Sequence, residues 1–157
     1  MIDLGRYFVA GEFDYQPLLE KWAWLLGDKA FLVHSVTAMG DIFLVDNESK
    51  VSFLDTIDGV VTPFADSVQE YEEKLQDRHV RKRHLATFVV RDLLDSGHSL
   101  RPGECFSPDL PPVLGGKMNR ENFSPVDSLF HASVMGQIHR QVKDLPPGTP
   151  VTDIQFK

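Results

Sequence analysis

Hydrophobic residues follow a helical period most clearly near the C-terminus. They recur at steps of three and four at Val126, Leu129, Phe130, Val134, Ile138 and Val142. This spacing predicts an amphipathic helix that packs one face on a core. Ser124 is predicted as its N-cap and Pro125 as its first helical residue, because a serine oxygen accepts free N–H groups and proline has none to satisfy. Lys143 in the last turn, followed by Pro146-Pro147-Gly148, predicts where the helix ends.

The N-terminal half predicts one helix followed by short strands. Apolar spacing, Pro17 near the start and Gly27 just past the end favour a helix over residues 15–26. Short apolar or alternating runs then predict four strands, at residues 31–37, 42–46, 51–56 and 60–62. Because short turns such as Asp58-Gly59 join these runs, we expect an antiparallel meander.

Two further helices are predicted between the meander and the C-terminal helix. The first begins after Asp66 as N-cap, with Gln69 in the reciprocal capping-box position. The second covers about residues 80–94 and ends before Gly97. The order of elements predicts an α+β fold, in which an antiparallel β-meander is packed with helices.

Length and composition are those of one globular unit. The chain has 157 residues, 42% hydrophobic and 25% charged, so we expect a single domain over residues 1–157. No apolar run approaches the roughly 20 residues of a membrane span, and the N-terminus lacks the pattern of a secretory signal. The single Cys105 excludes an internal disulfide and agrees with a reducing compartment. We therefore expect a cytoplasmic protein with no membrane partner.

The charge is acidic and unevenly placed. A formal net charge of −7 and a pI near 5.3 argue against nucleic acid as the partner. Residues 41–77 hold ten acids and two lysines, whereas residues 78–91 hold five bases and no acid. The acidic stretch is either an ordinary solvated surface or a lobe that steers a basic protein toward it.

Candidate catalytic and metal-binding residues do not form a motif. His79 and His84 are five residues apart and do not converge on one helix face, and His131 and His139 are two turns apart. A zinc site assembled across elements stays open, but surface or core-edge histidines are favoured. For Cys105 we favour a buried structural thiol. No catalytic residue, cofactor or metal is predicted.

Two other patterns have mainly structural interpretations. The Gly115-Gly116 pair lacks the leading glycine and the hydroxyl residue of a phosphate-binding loop, so a turn that approaches another backbone is favoured. Carboxylates can pair across the meander, Asp41 with Asp55 or Asp46 with Asp58, which would raise one pKa of each pair. Turn geometry explains these acids equally well.

Several strings resemble one bacterial family. They are WAWLLG (22–27), GDIFLVD (40–46), VSFLDTIDG (51–59), LRPGECF (100–106), PPVLGG (111–116) and MGQIHRQVKDLPPG (135–148). Together they resemble the C-terminal domain of the type VI secretion DNase-immunity protein family. The resemblance implies a cytoplasmic protein that binds and neutralises a cognate toxin, a DNase effector in the best-known branch, and it carries no catalytic residue over. Members often have a preceding GAD-like domain, which we expect to be absent here.

The resemblance and the charge together give a hypothesis for the partner-binding surface. An inhibitor of a nuclease must cover a basic cleft, and an acidic patch suits that task. The candidate residues are Asp41, Asp46, Glu48, Asp55, Asp58, Glu70 and Glu73, with Trp24 as an apolar anchor. Two alternatives stay open: a small-ligand or enzymatic domain with a pocket near Gly115-Gly116 and His131 or His139, and a general protein-interaction module. The sequence leaves the oligomeric state open.

Overall fold

The computed structural model describes residues 3–157 and has the predicted α+β class. Its main sheet is an antiparallel meander with strand order β1-β2-β3-β4. The strands are β1 (Leu32–Val36), β2 (Ile42–Val45), β3 (Val51–Asp55) and β4 (Val60–Ala65). The central strand β2 is covered on both faces, since Ile42, Phe43 and Leu44 are all fully buried. The meander predicted from the alternating pattern is therefore confirmed, with β4 longer than expected.

The remaining elements surround this sheet. A second antiparallel pair consists of β5 (Glu104–Pro108) and β6 (Phe123–Asp127). The helices are α1 (Ala23–Leu26), α2 (Val68–Lys74), α3 (Arg78–Leu85), α4 (Thr87–Asp95) and α5 (Ser128–Val142). Short 3₁₀ segments lie at Gly5–Tyr7, Gln16–Trp22, Pro112–Leu114 and Arg120–Asn122. Within residues 3–157, no helix combines the length and the hydrophobicity needed to cross a bilayer.

An aromatic cluster joins the sheet to α2. Phe43 lies 4.9 Å from Phe53, 4.9 Å from Phe64 and 4.8 Å from Tyr71, measured between ring centroids. These tilted and edge-to-face contacts are the favoured aromatic geometries. The Tyr71 hydroxyl is 2.8 Å from the Ser35 hydroxyl, so its polar end is also satisfied.

The predicted helix over residues 15–26 is mostly a 3₁₀ segment. Gln16–Trp22 is 3₁₀ and only Ala23–Leu26 is α-helical. This geometry directs both indoles toward α5, where Trp22 Nε1 donates to the Ala132 carbonyl at 3.0 Å and Trp24 Nε1 donates to the Gly136 carbonyl at 3.1 Å. A Cβ on Gly136 would lie 2.6 Å from the Lys21 carbonyl oxygen. The missing side chain therefore lets the segment lie directly on α5.

The single helix predicted over residues 80–94 is wrong. Ala86 has φ +46° and ψ 48°, the left-handed conformation, and separates α3 from α4. The break redirects the chain so that Leu85, Val90 and Leu93 all reach the core, where each is fully buried. Burial of these side chains outweighs the roughly 1–2 kcal/mol that a left-handed alanine costs.

Two helix starts also differ from prediction. Ser124 and Pro125 lie in β6, and Asp127 caps α5 by accepting the N–H groups of Leu129 and Phe130. For α2 the N-cap is Ser67, whose Oγ accepts the Glu70 N–H, and the Glu70 carboxylate reaches back to the Asp66 N–H. The capping box therefore lies one residue later than predicted, with Ser67 and Glu70 in place of Asp66 and Gln69.

The buried face of α5 is not the predicted apolar stripe. Leu129 is 48% exposed and Phe130 is 61% exposed. The buried residues of α5 are Ser128, His131, Ala132, Met135, Gly136, Ile138 and His139. Small residues face the 3₁₀ segment, and the two histidines bond to other elements, so close backbone approach and polar contacts decide which face is buried.

Candidate functional site

The predicted acidic residues lie at two opposite ends of the meander. In an antiparallel meander, alternate turns lie at opposite ends. The turns after β1 and β3 therefore share one end, with Asp41, Asp55 and Asp58, whereas the turn between β2 and β3 carries Asp46 and Glu48 at the other end. Asp41 and Asp55 interact electrostatically, as their predicted pairing requires. The alternative pairing of Asp46 with Asp58 is wrong.

Asp41 belongs to the interior. It is 6% exposed, and its Oδ1 accepts the Thr56 N–H at 2.7 Å and the Thr56 hydroxyl at 2.9 Å. Burial raises the pKa of Asp41 well above its usual range, and the nearby Asp55 and Asp58 carboxylates raise it further. Asp41 therefore supports the turn from inside and does not contribute an exposed partner contact.

Asp55 and Asp58 form the outer part of this end. Asp55 Oδ1 accepts the N–H groups of Ile57 at 3.0 Å and Asp58 at 2.8 Å, which fixes the turn between β3 and β4. Burial raises the pKa of Asp55, and repulsion from Asp58 acts in the same direction. Asp58 is exposed. Among residues 3–157 neither carboxylate forms an ion pair, so this turn presents uncompensated negative charge.

The acids at the opposite end are neutralised by lysines. The ion pairs are Lys29–Asp46 at 3.1 Å, Lys50–Glu48 at 3.5 Å and Lys74–Glu70 at 3.2 Å. Burial alone would raise the pKa of Asp46, but hydrogen bonds from Lys29, Lys50 and Glu48 lower it overall. Glu73 is exposed and accepts only the Gln69 side-chain amide, at 3.1 Å. This end therefore has far less net charge than its count of acids indicates.

Trp24 is held against α5. Its indole is half-buried, stacks on Trp22 with centroids 6.0 Å apart, and donates its N–H to the Gly136 carbonyl. These contacts support a structural role for Trp24. The sequence alone is compatible with either this role or an interface role. Large apolar side chains that are exposed instead include Phe88 at 55% and Phe130 at 61%. Helical periodicity gave no indication of the exposure of Phe130.

His131 and His139 connect α5 to the meander. His131 Nε2 is 2.8 Å from the Thr56 hydroxyl and Nδ1 is 2.7 Å from the Ser107 hydroxyl. His139 Nε2 is 3.1 Å from the Thr56 carbonyl and 3.0 Å from the Ile57 carbonyl. Because both partners of His139 Nε2 are acceptors, that nitrogen carries the proton. Burial lowers the pKa of both rings, that of His131 to about 4.

The thiol of Cys105 completes this buried cluster. A Cβ on Gly40 would lie 2.3 Å from His131 Cδ2 and 3.1 Å from Cys105 Sγ, so the ring and the thiol pack together over this glycine. A histidine, a thiol and a carboxylate near one another are the groups that an enzyme would use. However, His131 is 1% exposed, Cys105 is fully buried and burial raises the pKa of the thiol. The thiol is protonated and out of contact with solvent, so the cluster stabilises the fold.

A groove does lie near Gly115-Gly116, but the histidines are not part of it. It has a volume of about 670 Å³ and lies between residues 110–115 and residues 148–154. Its lining is mixed, with apolar Leu110, Val113 and Val151 beside polar groups such as Asp153, and neither His131 nor His139 belongs to it. Within residues 3–157, His, Cys, Asp and Glu side chains form no group of three that could hold a metal ion.

The Gly115-Gly116 turn has the structural use expected for it. A Cβ on Gly116 would lie 1.7 Å from the Leu110 carbonyl oxygen, so only glycine permits this close backbone approach. The Asn122 amide donates to the carbonyls of Leu110 at 2.8 Å and Lys117 at 2.9 Å, which closes the loop.

Comparison with known proteins identifies part of the chain. Residues 65–139 match the family described as "T6SS immunity protein Tdi1, C-terminal". The match contains the strings LRPGECF and PPVLGG, whereas the strings before residue 65 lie outside it. No curated protein matches the chain. Among solved structures, Atu4351 from Agrobacterium tumefaciens has a similar fold, with 20% identity, a TM-score of 0.54, and an alignment that covers 87% of this chain and 71% of Atu4351.

The family expected from the sequence is thus confirmed over a defined segment, and the solved structure supports the fold alone. Residues 65–139 of this chain, slightly less than half of its length, are similar to the C-terminal domain of the T6SS immunity protein Tdi1 family.

Proposed function

We propose that this protein binds a cognate secreted toxin in the cytoplasm and neutralises it by covering its surface, with no catalytic step. The observation that carries the proposal is the match of residues 65–139 to an immunity family. The buried state of the histidines and the thiol agrees with a role in binding, because no substrate reaches them. Cell fractionation with a periplasmic marker as control tests the compartment.

The turn between β3 and β4 is the part of the predicted acidic surface best suited to a basic partner. Its charge is not offset by lysines, and Asp58 projects into solvent. A nuclease toxin, the class implied by the resemblance, presents a basic cleft to which this turn is electrostatically complementary. We therefore place Asp55 and Asp58 at the centre of the contact surface, with Glu73 as a further exposed acid.

The lysine-paired acids have a smaller expected role. Asp46, Glu48 and Glu70 each engage a lysine, so a toxin cation competes with an existing partner. The pairs of Glu48 and Glu70 are exposed and contribute about 0–1 kcal/mol each, and the Asp46 side chain is only 5% exposed. Exchange of one such pair for another therefore adds little affinity. Asp41 is buried, and the half-buried Trp24 is held against α5 by the hydrogen bond of its indole.

Charge reversal at Asp58 tests the contact surface. The probe is the toxin encoded beside the gene for this chain, and the matched control is Glu12→Lys, another exposed acid without an ion pair among residues 3–157. We expect Asp58→Lys to lower the association rate about tenfold at low salt and less at high salt, because steering between charges is screened. Glu12→Lys leaves the rate within about twofold.

Two outcomes count against different parts of the proposal. If the unmodified chain neither binds the neighbouring toxin nor restores growth of cells that express it, the immunity function is wrong. If it binds and protects, but Asp58→Lys and Glu12→Lys behave alike, immunity holds and the acidic turn is not the contact surface.

A further inference from the structure

A small basic groove lies on the side of the molecule formed by α3 and α4. It has a volume of about 360 Å³. Its lining includes Tyr7, Arg78, Arg81, Lys82, Phe88 and Arg91. Three guanidinium groups and one ammonium group thus surround a single concavity in a chain whose net charge is −7. The acidic turn proposed to contact the toxin is not part of this groove.

The left-handed Ala86 explains why these side chains converge. Arg78, Arg81 and Lys82 stand at positions i, i+3 and i+4 of α3, so they share one helix face. Phe88 and Arg91 stand at i and i+3 of α4 and share a face of that helix. The reversal at Ala86 turns these two faces toward one groove. A continuous helix over residues 80–94 would not enclose one.

The positive charge in the groove lacks carboxylate partners. Among residues 3–157, none of the four cations forms an ion pair, although ten of the acids lie in the preceding 41–77 stretch. Arg81 donates only to the Leu75 carbonyl, at 3.0 Å. Like charges that converge without a counterion repel one another, so a bound anion relieves this repulsion.

The shape and chemistry of the groove favour a phosphate group joined to a planar ring. Guanidinium groups present paired N–H donors that match phosphate oxygens, and three of them suit a group with three terminal oxygens. Phe88 is 55% exposed and offers a ring face for stacking, beside the 7% exposed Tyr7. A volume of about 360 Å³ is near the lower limit of small-molecule sites.

We propose that this groove binds a nucleotide, with its phosphates between Arg78, Arg81 and Arg91 and its base on Phe88. A long nucleic acid is a poorer occupant, because it extends beyond the groove onto a molecule with net charge −7. An acidic protein segment is also a poorer occupant, because each carboxylate has only two oxygens for these donors. The inference does not depend on toxin binding.

The test is titration of the full chain with ADP by calorimetry at about 50 mM salt. We expect saturable binding of one ADP, and affinities for adenosine and for inorganic phosphate at least about tenfold weaker, since each has half of the contacts. Arg78→Gln with Arg91→Gln lowers the affinity for ADP at least about tenfold. Phe88→Leu lowers the affinity for ADP but not the affinity for inorganic phosphate. Arg140→Gln, at an exposed arginine of α5, is the matched control and leaves the affinity unchanged.

Several results would overturn the proposal. They are the absence of saturable ADP binding, equal affinity in the Arg78→Gln/Arg91→Gln variant and the unmodified chain, and tighter binding of a single-stranded oligonucleotide or a poly-glutamate peptide than of ADP. Circular dichroism of each variant separates loss of binding from loss of fold. Arg81 is left in place because its bond to the Leu75 carbonyl also supports α3.

Discussion

His131 makes the stability of this protein depend on pH. Its pKa is about 4 in the folded chain and 6.5 in the unfolded chain, because burial disfavours the imidazolium form. As pH falls below 6.5, the unfolded chain takes up a proton that the folded chain does not, so the free energy of unfolding decreases. Asp41 and Asp55 act in the opposite direction, since their raised pKa values make the folded chain more stable as they become protonated.

Replacement of the ring tests this dependence. From the two pKa values of His131, its contribution falls by about 2 kcal/mol between about pH 7 and about pH 5. His131→Gln is expected to be less stable at pH 7 but to lose about 2 kcal/mol less on acidification. Urea unfolding at both pH values measures this. His79→Gln, at an exposed histidine, serves as control, and equal pH dependence in both variants would contradict the assignment.

Gly40 is needed because His131 and Cys105 pack against it. Gly40 and Gly97 both have a positive φ, +84° and +96°, so alanine carries a similar backbone cost of about 1–2 kcal/mol at either position. A Cβ at Gly97 meets nothing within 4 Å, whereas at Gly40 it overlaps the imidazole. Gly40→Ala is expected to lose about 1–3 kcal/mol more than Gly97→Ala in urea unfolding. Equal losses would show that the cluster relaxes freely.

The roles of single residues were the least predictable part of the sequence. His131 and His139 were expected at the surface or core edge because polar side chains are usually exposed, yet both are buried. Apart from the Ser107 hydroxyl, their partners are the Thr56 hydroxyl and two backbone carbonyls, which lie more than 70 residues away in sequence. No local pattern encodes such a contact.

Elements were predicted better than residues, for a physical reason. The strands of the meander were found because alternation and turn residues are encoded locally. The break at Ala86 was missed because neither glycine nor proline marks it, and burial on both sides imposes it. The start of α5 was misplaced because Ser124-Pro125 suits a helix start locally, while pairing of β6 with β5 uses the same residues.

Substitutions at Asp127 and Ser124 test which of these residues is the N-cap of α5. Asp127 accepts two N–H groups of the first turn, whereas the Ser124 hydroxyl donates to the Asp109 carboxylate at 2.8 Å. Asp127→Ala is therefore expected to lower the free energy of unfolding by about 1 kcal/mol, and Ser124→Ala by less than about 0.5 kcal/mol. Thermal unfolding of both variants measures the difference. A larger effect at Ser124 would restore the helix start predicted from the sequence.

At the scale of the whole molecule, counts of charge along the sequence were only partly informative. They gave the excess of acids in residues 41–77, but the fold divides these acids between the two ends of the meander. Lys29, which neutralises Asp46, lies outside this stretch of sequence. The run of bases at residues 78–91 was visible in the sequence, but its convergence on one groove depends on the turn at Ala86. The sequence gives the numbers of acidic and basic residues, and the fold determines where on the surface their charges are concentrated.

We also propose that residues 1–157 unfold as one domain, because α5 contacts both the N-terminal segment with the two tryptophans and the meander. Trp22 and Trp24 donate to carbonyls of α5, and His139 on the same helix bonds to the turn after β3. Unfolding of α5 therefore removes both sets of bonds. We expect the tryptophan fluorescence and far-ultraviolet circular dichroism transitions in urea to coincide, and Asp127→Ala to shift both equally. A fluorescence transition at lower urea would show that the segment with both tryptophans separates first, which contradicts a single cooperative domain.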